Sequence, residues 1–175
     1  MFGFSKNSLW KELHQAAGDD DLNQLLALIK KGAEVNSRNS YGGTALMIAA
    51  KRGFFSIVKA LIENGANPNA VMSPPKDPRQ TYTALHTAAQ EGHNEIVDLL
   101  IRAGSNVNAS TGYGETPLIS AALYGNESTV NMLLQHGADK NQVTMELKTA
   151  ADYAMGLGHM QTYELLISVQ QQVVP

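Results

Sequence analysis

Apolar residues recur along this chain at helical spacing, in short amphipathic runs separated by glycine. Ile57, Val58, Leu61 and Ile62 form one such stripe, Ile96, Val97, Leu99 and Leu100 a second, and Val130, Met132, Leu133 and Leu134 a third. A shorter run precedes each stripe, opening on Thr44-Ala45-Leu46, Thr83-Ala84-Leu85 and Thr116-Pro117-Leu118 and leading to the pairs Ala49-Ala50, Ala88-Ala89 and Ala121-Ala122. The pattern predicts two helices per unit. A threonine hydroxyl caps the free N–H groups at the start of the first helix, and small alanines let neighbouring helices approach closely. Gly53, Gly92, Gly125 and Gly158 end the first helix of a unit, and Gly32, Gly65, Gly104 and Gly137 end the second. Turn-forming segments such as Ala66-Asn67-Pro68-Asn69 and Ser105-Asn106-Val107-Asn108 then lead into projecting loops.

The spacing is regular. Lys11 to Thr44, Thr83 to Thr116 and Thr116 to Thr149 are each 33 residues apart, whereas Thr44 to Thr83 is 39, so one unit carries six extra residues. Leu13-His14-Gln15-Ala16-Ala17, with Lys11 at the threonine position, and Thr149-Ala150-Ala151-Asp152-Tyr153-Ala154 complete five units. Their expected bounds are about 7–39, 40–78, 79–111, 112–144 and 145–170, with a short tail over 171–175, all in one domain spanning 1–175.

This period, with Thr-x-Leu-His-x-Ala-Ala, a mid-unit glycine, Ile-Val-x-x-Leu-Leu and the Gly-Ala-Asp-x-Asn turn, resembles the ankyrin repeat over nearly the whole chain. The tetratricopeptide repeat has a similar period but lacks both the inter-helix glycine and that turn. The resemblance implies an all-α fold: a solenoid of paired antiparallel helices with β-hairpin-like loops, about five repeats including the end caps. Departures fall at the ends, where Gly18-Asp19-Asp20-Asp21 replaces the inter-helix glycine and Ala151 and Asp152 replace leucine and histidine. End repeats face water on one side, which favours polar replacements there.

The resemblance further implies a scaffold that grips another protein with its concave groove and loop tips. The positions that commonly contact partners are Tyr41, Lys51 and Arg52 in the second unit, and Arg79, Tyr82, Gln90 and Glu91 in the third. In the fourth they are Tyr113, Glu115, Leu123 and Tyr124; in the last, Met145, Lys148 and Leu157. Four tyrosines among them fit a binding surface. Leu123 and Tyr124 have two readings, exposed contact in the groove or packing on the adjacent repeat. The extra residues lie within Val71–Gln80, whose three prolines predict a stiff, exposed finger, either a recognition element or a tolerated insertion. Asn108, with Leu100 and Val107 before it, is similar to ankyrin asparagines that some oxygenases hydroxylate.

Composition narrows the remaining classes. The 175 residues carry a net charge of -3 with no basic block, so nucleic acid is not an expected partner. There is no cysteine, which removes disulfides, thiolate metal sites and a cysteine nucleophile. The segment Met1–Lys6 does not read as a signal peptide, no apolar run is long enough to span a bilayer, and no membrane association is expected. An intracellular, cytoplasmic place of action is expected, including that of a bacterial protein delivered into a host cell, for a chain that is monomeric by itself. The five histidines fall at recurrent repeat positions, and Asp19-Asp20-Asp21 sits where a helix begins, where negative charge complements the helix dipole. With no phosphate loop, nucleophile elbow or carboxylate pair in sight, no catalytic residue, metal or cofactor is expected. A partner-binding adaptor, inhibitor or effector ranks first, an accessory factor that modulates a partner enzyme second, and an enzyme with an unrecognised site last.

Overall fold

The threonine signals act where the spacing puts them. In the computed structural model, which describes residues 9–168, Thr44, Thr83, Thr116 and Thr149 each accept a hydrogen bond from the backbone N–H three residues on. They cap α3 (Ala45–Arg52), α5 (Ala84–Glu91), α7 (Pro117–Leu123) and α9 (Ala150–Gly156). Behind each follows a second helix: α4 (Phe55–Glu63), α6 (Asn94–Arg102), α8 (Glu127–Gln135) and α10 (Met160–Ser168). The first unit contributes α1 (Leu9–Gly18) and α2 (Leu22–Lys30). The Met1–Lys6 segment, the expected start of the first unit at residue 7 and the 171–175 tail lie outside the described residues.

Lys11 does not stand at a cap. α1 already runs from Leu9, so Lys11 lies inside it, because leucine and tryptophan at 9 and 10 extend the helical run and no capping side chain occupies position 11. Asp20 takes the left-handed backbone conformation that glycine adopts in the other units, at φ 58°, and Asp21 caps α2 by accepting from Gln24 N at 2.8 Å.

The odd-numbered helices pack on one another in a row, and the even-numbered helices form a second row behind them. The alanine pairs are sealed between the rows with Leu13, Leu46, Leu85 and Leu118 from the first row and Leu25, Leu61, Leu100 and Leu133 from the second. The core is therefore continuous along the stack, each unit completing its neighbour's. Polar ties reinforce it. Asn36, Asn69 and Asn108 each bridge to the next turn, accepting from the N–H of Asn67, Asn106 and Asp139 and donating to the carbonyls of Gly65, Gly104 and Gly137.

The loops are hairpin-like without forming strands among the described residues. Asn39 N bonds Gly43 O, Thr111 N bonds Glu115 O and Thr144 N bonds Lys148 O, closing five-residue loops. Successive tips also touch: Gly112 N donates to Arg79 O at 2.9 Å and Met145 N to Tyr113 O at 2.9 Å.

Candidate partner-binding surface

The loop tips and the odd-numbered helix row share one face, and the expected contact residues distribute over it unevenly. Tyr41 stands free at the second tip, 66% exposed, and Lys51 and Arg52 lie exposed at the end of α3. Glu91 is exposed at the matching place on α5, beside a half-buried Gln90 whose carbonyl accepts from Asn126 Nδ2 at 2.7 Å. Tyr124, Met145 and Leu157 are exposed, and Lys148 is held 2.9 Å from Glu146, which raises its pKa through that hydrogen bond. Leu123 is half-buried, packs against the core and lines the recess described below.

Four expected contact residues, Tyr82, Glu115, Tyr113 and Arg79, are joined to neighbours inside the protein. Tyr82 donates its phenol hydrogen to Glu115 Oε2 at 3.1 Å; burial and then the Glu115 charge push its pKa up to about 12. Glu115 Oε1 accepts from the fully buried Ser120 hydroxyl at 2.6 Å. Tyr113 donates to Asp77 Oδ2 at 2.7 Å, which raises the phenol pKa and lowers that of the carboxyl. The Arg79 guanidinium lies over the Tyr113 ring, 4.7 Å from its centre. The proline-rich segment is largely exposed and fastened on both sides: Asp77 and Arg79 tie it to the next tip, and Arg38 donates from the other side to Val71 O and to Gly42 O.

A recess of about 200 Å³ opens between the fourth and fifth loops, with Tyr113 and Met145 on its rim, Glu115 on one wall and Ile119, Leu123 and Tyr153 beneath. Ile119, Tyr153 and Ser120 were not among the expected contact residues. Their signal was register: Ile119 stands three residues after its capping threonine, and Ser120 and Tyr153 four after theirs, the side of the helix that turns toward the loops.

The histidines are structural. His86 is buried, accepts the Thr83 backbone N–H at Nδ1, and bonds Glu115 O through Nε2 at 3.1 Å; burial lowers its pKa to about 4. His93 and His159 bond the carbonyls of Lys51 and Leu123 in the preceding unit. Among the described residues no cluster of three or more histidine, aspartate or glutamate side chains gathers as a metal site would, and no helix is long and apolar enough to cross a membrane.

Paired helices stacked in two rows, with capped first helices and linked loop tips, define a helical-repeat solenoid. The family profile described as "Ankyrin repeats (3 copies)" matches residues 13–111, 68–144 and 106–174, and the chain belongs to the ankyrin-repeat family. It is similar to Rabankyrin-5 of Mus musculus, 30% identical over 143 residues, which cover 82% of this chain and 10% of that protein. It is also similar to the mitochondrial disaggregase of Bos taurus, 38% identical over 68 residues, covering 38% of this chain and 10% of the relative. The putative ankyrin repeat protein R664 of Acanthamoeba polyphaga mimivirus is 54% identical over 41 residues, covering 23% of this chain and 25% of that one. The matched region is thus a small part of each of these relatives. Ankyrin repeats are in general protein–protein interaction modules.

Proposed function

We propose that this chain is a non-catalytic binding module that holds another protein along the face formed by its loop tips and its odd-numbered helices, acting in the cytoplasm as a monomer. The observation that carries the reading is the exposure of large apolar side chains: Met145, 64% exposed, lines the recess beside the half-buried Leu123, and Tyr124, the next residue at the end of α7, is 57% exposed. Exposed apolar groups gathered at a concavity and framed by polar residues are characteristic of protein contact surfaces. Lys51 and Arg52 at the α3 end and Glu91 at the α5 end put opposite charges at successive repeats, which supports one direction for a bound partner. Modulation of a partner enzyme requires the same face and differs only in what the partner does once held.

The test is photocrosslinking in native cell extract from a photoreactive residue placed at Tyr124, compared with one placed at the exposed Lys59 of α4. A discrete partner captured from position 124 and not from 59 supports the reading. Capture from 59 alone, or from neither, overturns it.

A further inference from the structure

Glu115 stands at the end of the fourth loop, directly before the capping Thr116 of α7. It is half-buried on the wall of the recess, and both of its oxygens are satisfied by neutral hydroxyls, Tyr82 at 3.1 Å and Ser120 at 2.6 Å. Among the described residues it forms no ion pair. The nearby cations are committed elsewhere: Lys148 is held by Glu146 at 2.9 Å and lies over the Tyr153 ring, and Arg79 lies over Tyr113. Two hydroxyls leave part of the carboxylate's acceptor capacity unused, since an ionised carboxylate offers about four lone-pair sites.

The surroundings specify what would complete the site. Ile119, Leu123 and Met145 give it apolar walls, while Tyr113 and Tyr153 present aromatic surface. At about 200 Å³ the recess falls below the range of about 300 Å³ and upward typical of small-molecule sites, which suits one long side chain rather than a whole ligand. Apolar walls for an aliphatic stem, aromatic surface and a single uncompensated carboxylate together match the shape and charge of a lysine or arginine.

Building on the binding role proposed above, we infer that this recess receives one basic side chain, arginine or lysine, from an extended segment of the partner protein, with Glu115 as its counter-charge. The stem would pack on Leu123 and Met145, and the head would reach Glu115 without displacing Tyr82 or Ser120. Specificity then resides in a charge pair formed only in the complex, away from bulk water, where charge-assisted hydrogen bonds are strongest.

The experiment is selection of a random-peptide display library against the intact protein, repeated on two variants. Glu115→Gln removes the charge and keeps an acceptor. Met145→Arg, at an exposed position and therefore without a folding penalty, places the protein's own cation at the recess. Thermal unfolding of each variant confirms that the fold is kept. Enriched peptides sharing one arginine or lysine, with binding reduced about 10-fold or more in both variants, are the expected result, equivalent to about 1.4 kcal/mol or more. Enriched peptides with no shared basic residue, or binding indifferent to both changes, overturn the basic-anchor inference and leave the binding role standing. If nothing is enriched, an extended peptide is not the occupant and the inference falls; the crosslinking experiment then decides the binding role separately.

Discussion

His159 and Gly125 interlock across the fourth and fifth helix pairs. The imidazole donates through Nε2 to Leu123 O at 3.1 Å, and its Nδ1 lies 2.6 Å from where a Cβ on Gly125 would stand. The glycine also holds φ 67°, in the left-handed region. One small residue thus permits both the turn between helices and the approach of the side chain that caps the preceding helix. Gly125→Ala is expected to lose about 1–2 kcal/mol from the backbone alone, and more from the contact. Urea unfolding checks it. The loss should be smaller in a His159→Ala background, where only the backbone part remains, and an unchanged midpoint in the single variant would refute the interlock.

The alanine pairs set how closely the stack packs. Ala88 is fully buried in the first-helix row between α3 and α7, so Ala88→Leu is expected to overpack that contact and cost about 1–3 kcal/mol. A neutral result by chemical denaturation would contradict the packing of α5 against its neighbours.

The asparagine bridges predict a different signature. Asn69 accepts from Asn106 N and donates to Gly104 O, both at 2.8 Å, so Asn69→Ala removes two ties between adjacent turns. Each bond contributes about 0.5–1.5 kcal/mol, and the loss should be accompanied by faster amide hydrogen exchange at Asn106. Exchange there that matches the wild type would show the bridge to be dispensable.

The repeat frame was legible because its signals are local: a capping threonine, a turning glycine and a helical stripe each act within a few residues of themselves. The first unit was the exception, since the lysine at the threonine position caps nothing and α1 starts upstream of it. Much of the candidate surface was less legible. Tyr41 and Tyr124 are free, as their positions imply, but Tyr82 and Tyr113 are tied to Glu115 and Asp77, partners 33 and 36 residues away. About one repeat period separates the members of each pair, so only the stacked fold brings them together. The proline-rich segment reads as a finger in sequence because prolines remove backbone donors, yet its side chains and carbonyls still fasten it on both sides.

His86 gives the protein a calculable sensitivity to acid. It is buried with Nδ1 accepting the Thr83 N–H and Nε2 engaged by Glu115 O, an arrangement that holds the ring neutral, and burial lowers its pKa from 6.5 to about 4. Between those values the unfolded chain binds a proton that the folded chain does not, so stability rises with pH there. The contribution is complete above about pH 6.5 and is lost as pH falls through about 4. At about 1.4 kcal/mol per pKa unit the full loss is on the order of 3 kcal/mol. His14, whose pKa is also lowered by burial, adds to the loss with the same sign. Urea midpoints measured across this range should fall toward acid, and His86→Gln, less stable at neutral pH, should show a flatter profile. A variant profile as steep as that of the parent would assign the acid sensitivity to other groups.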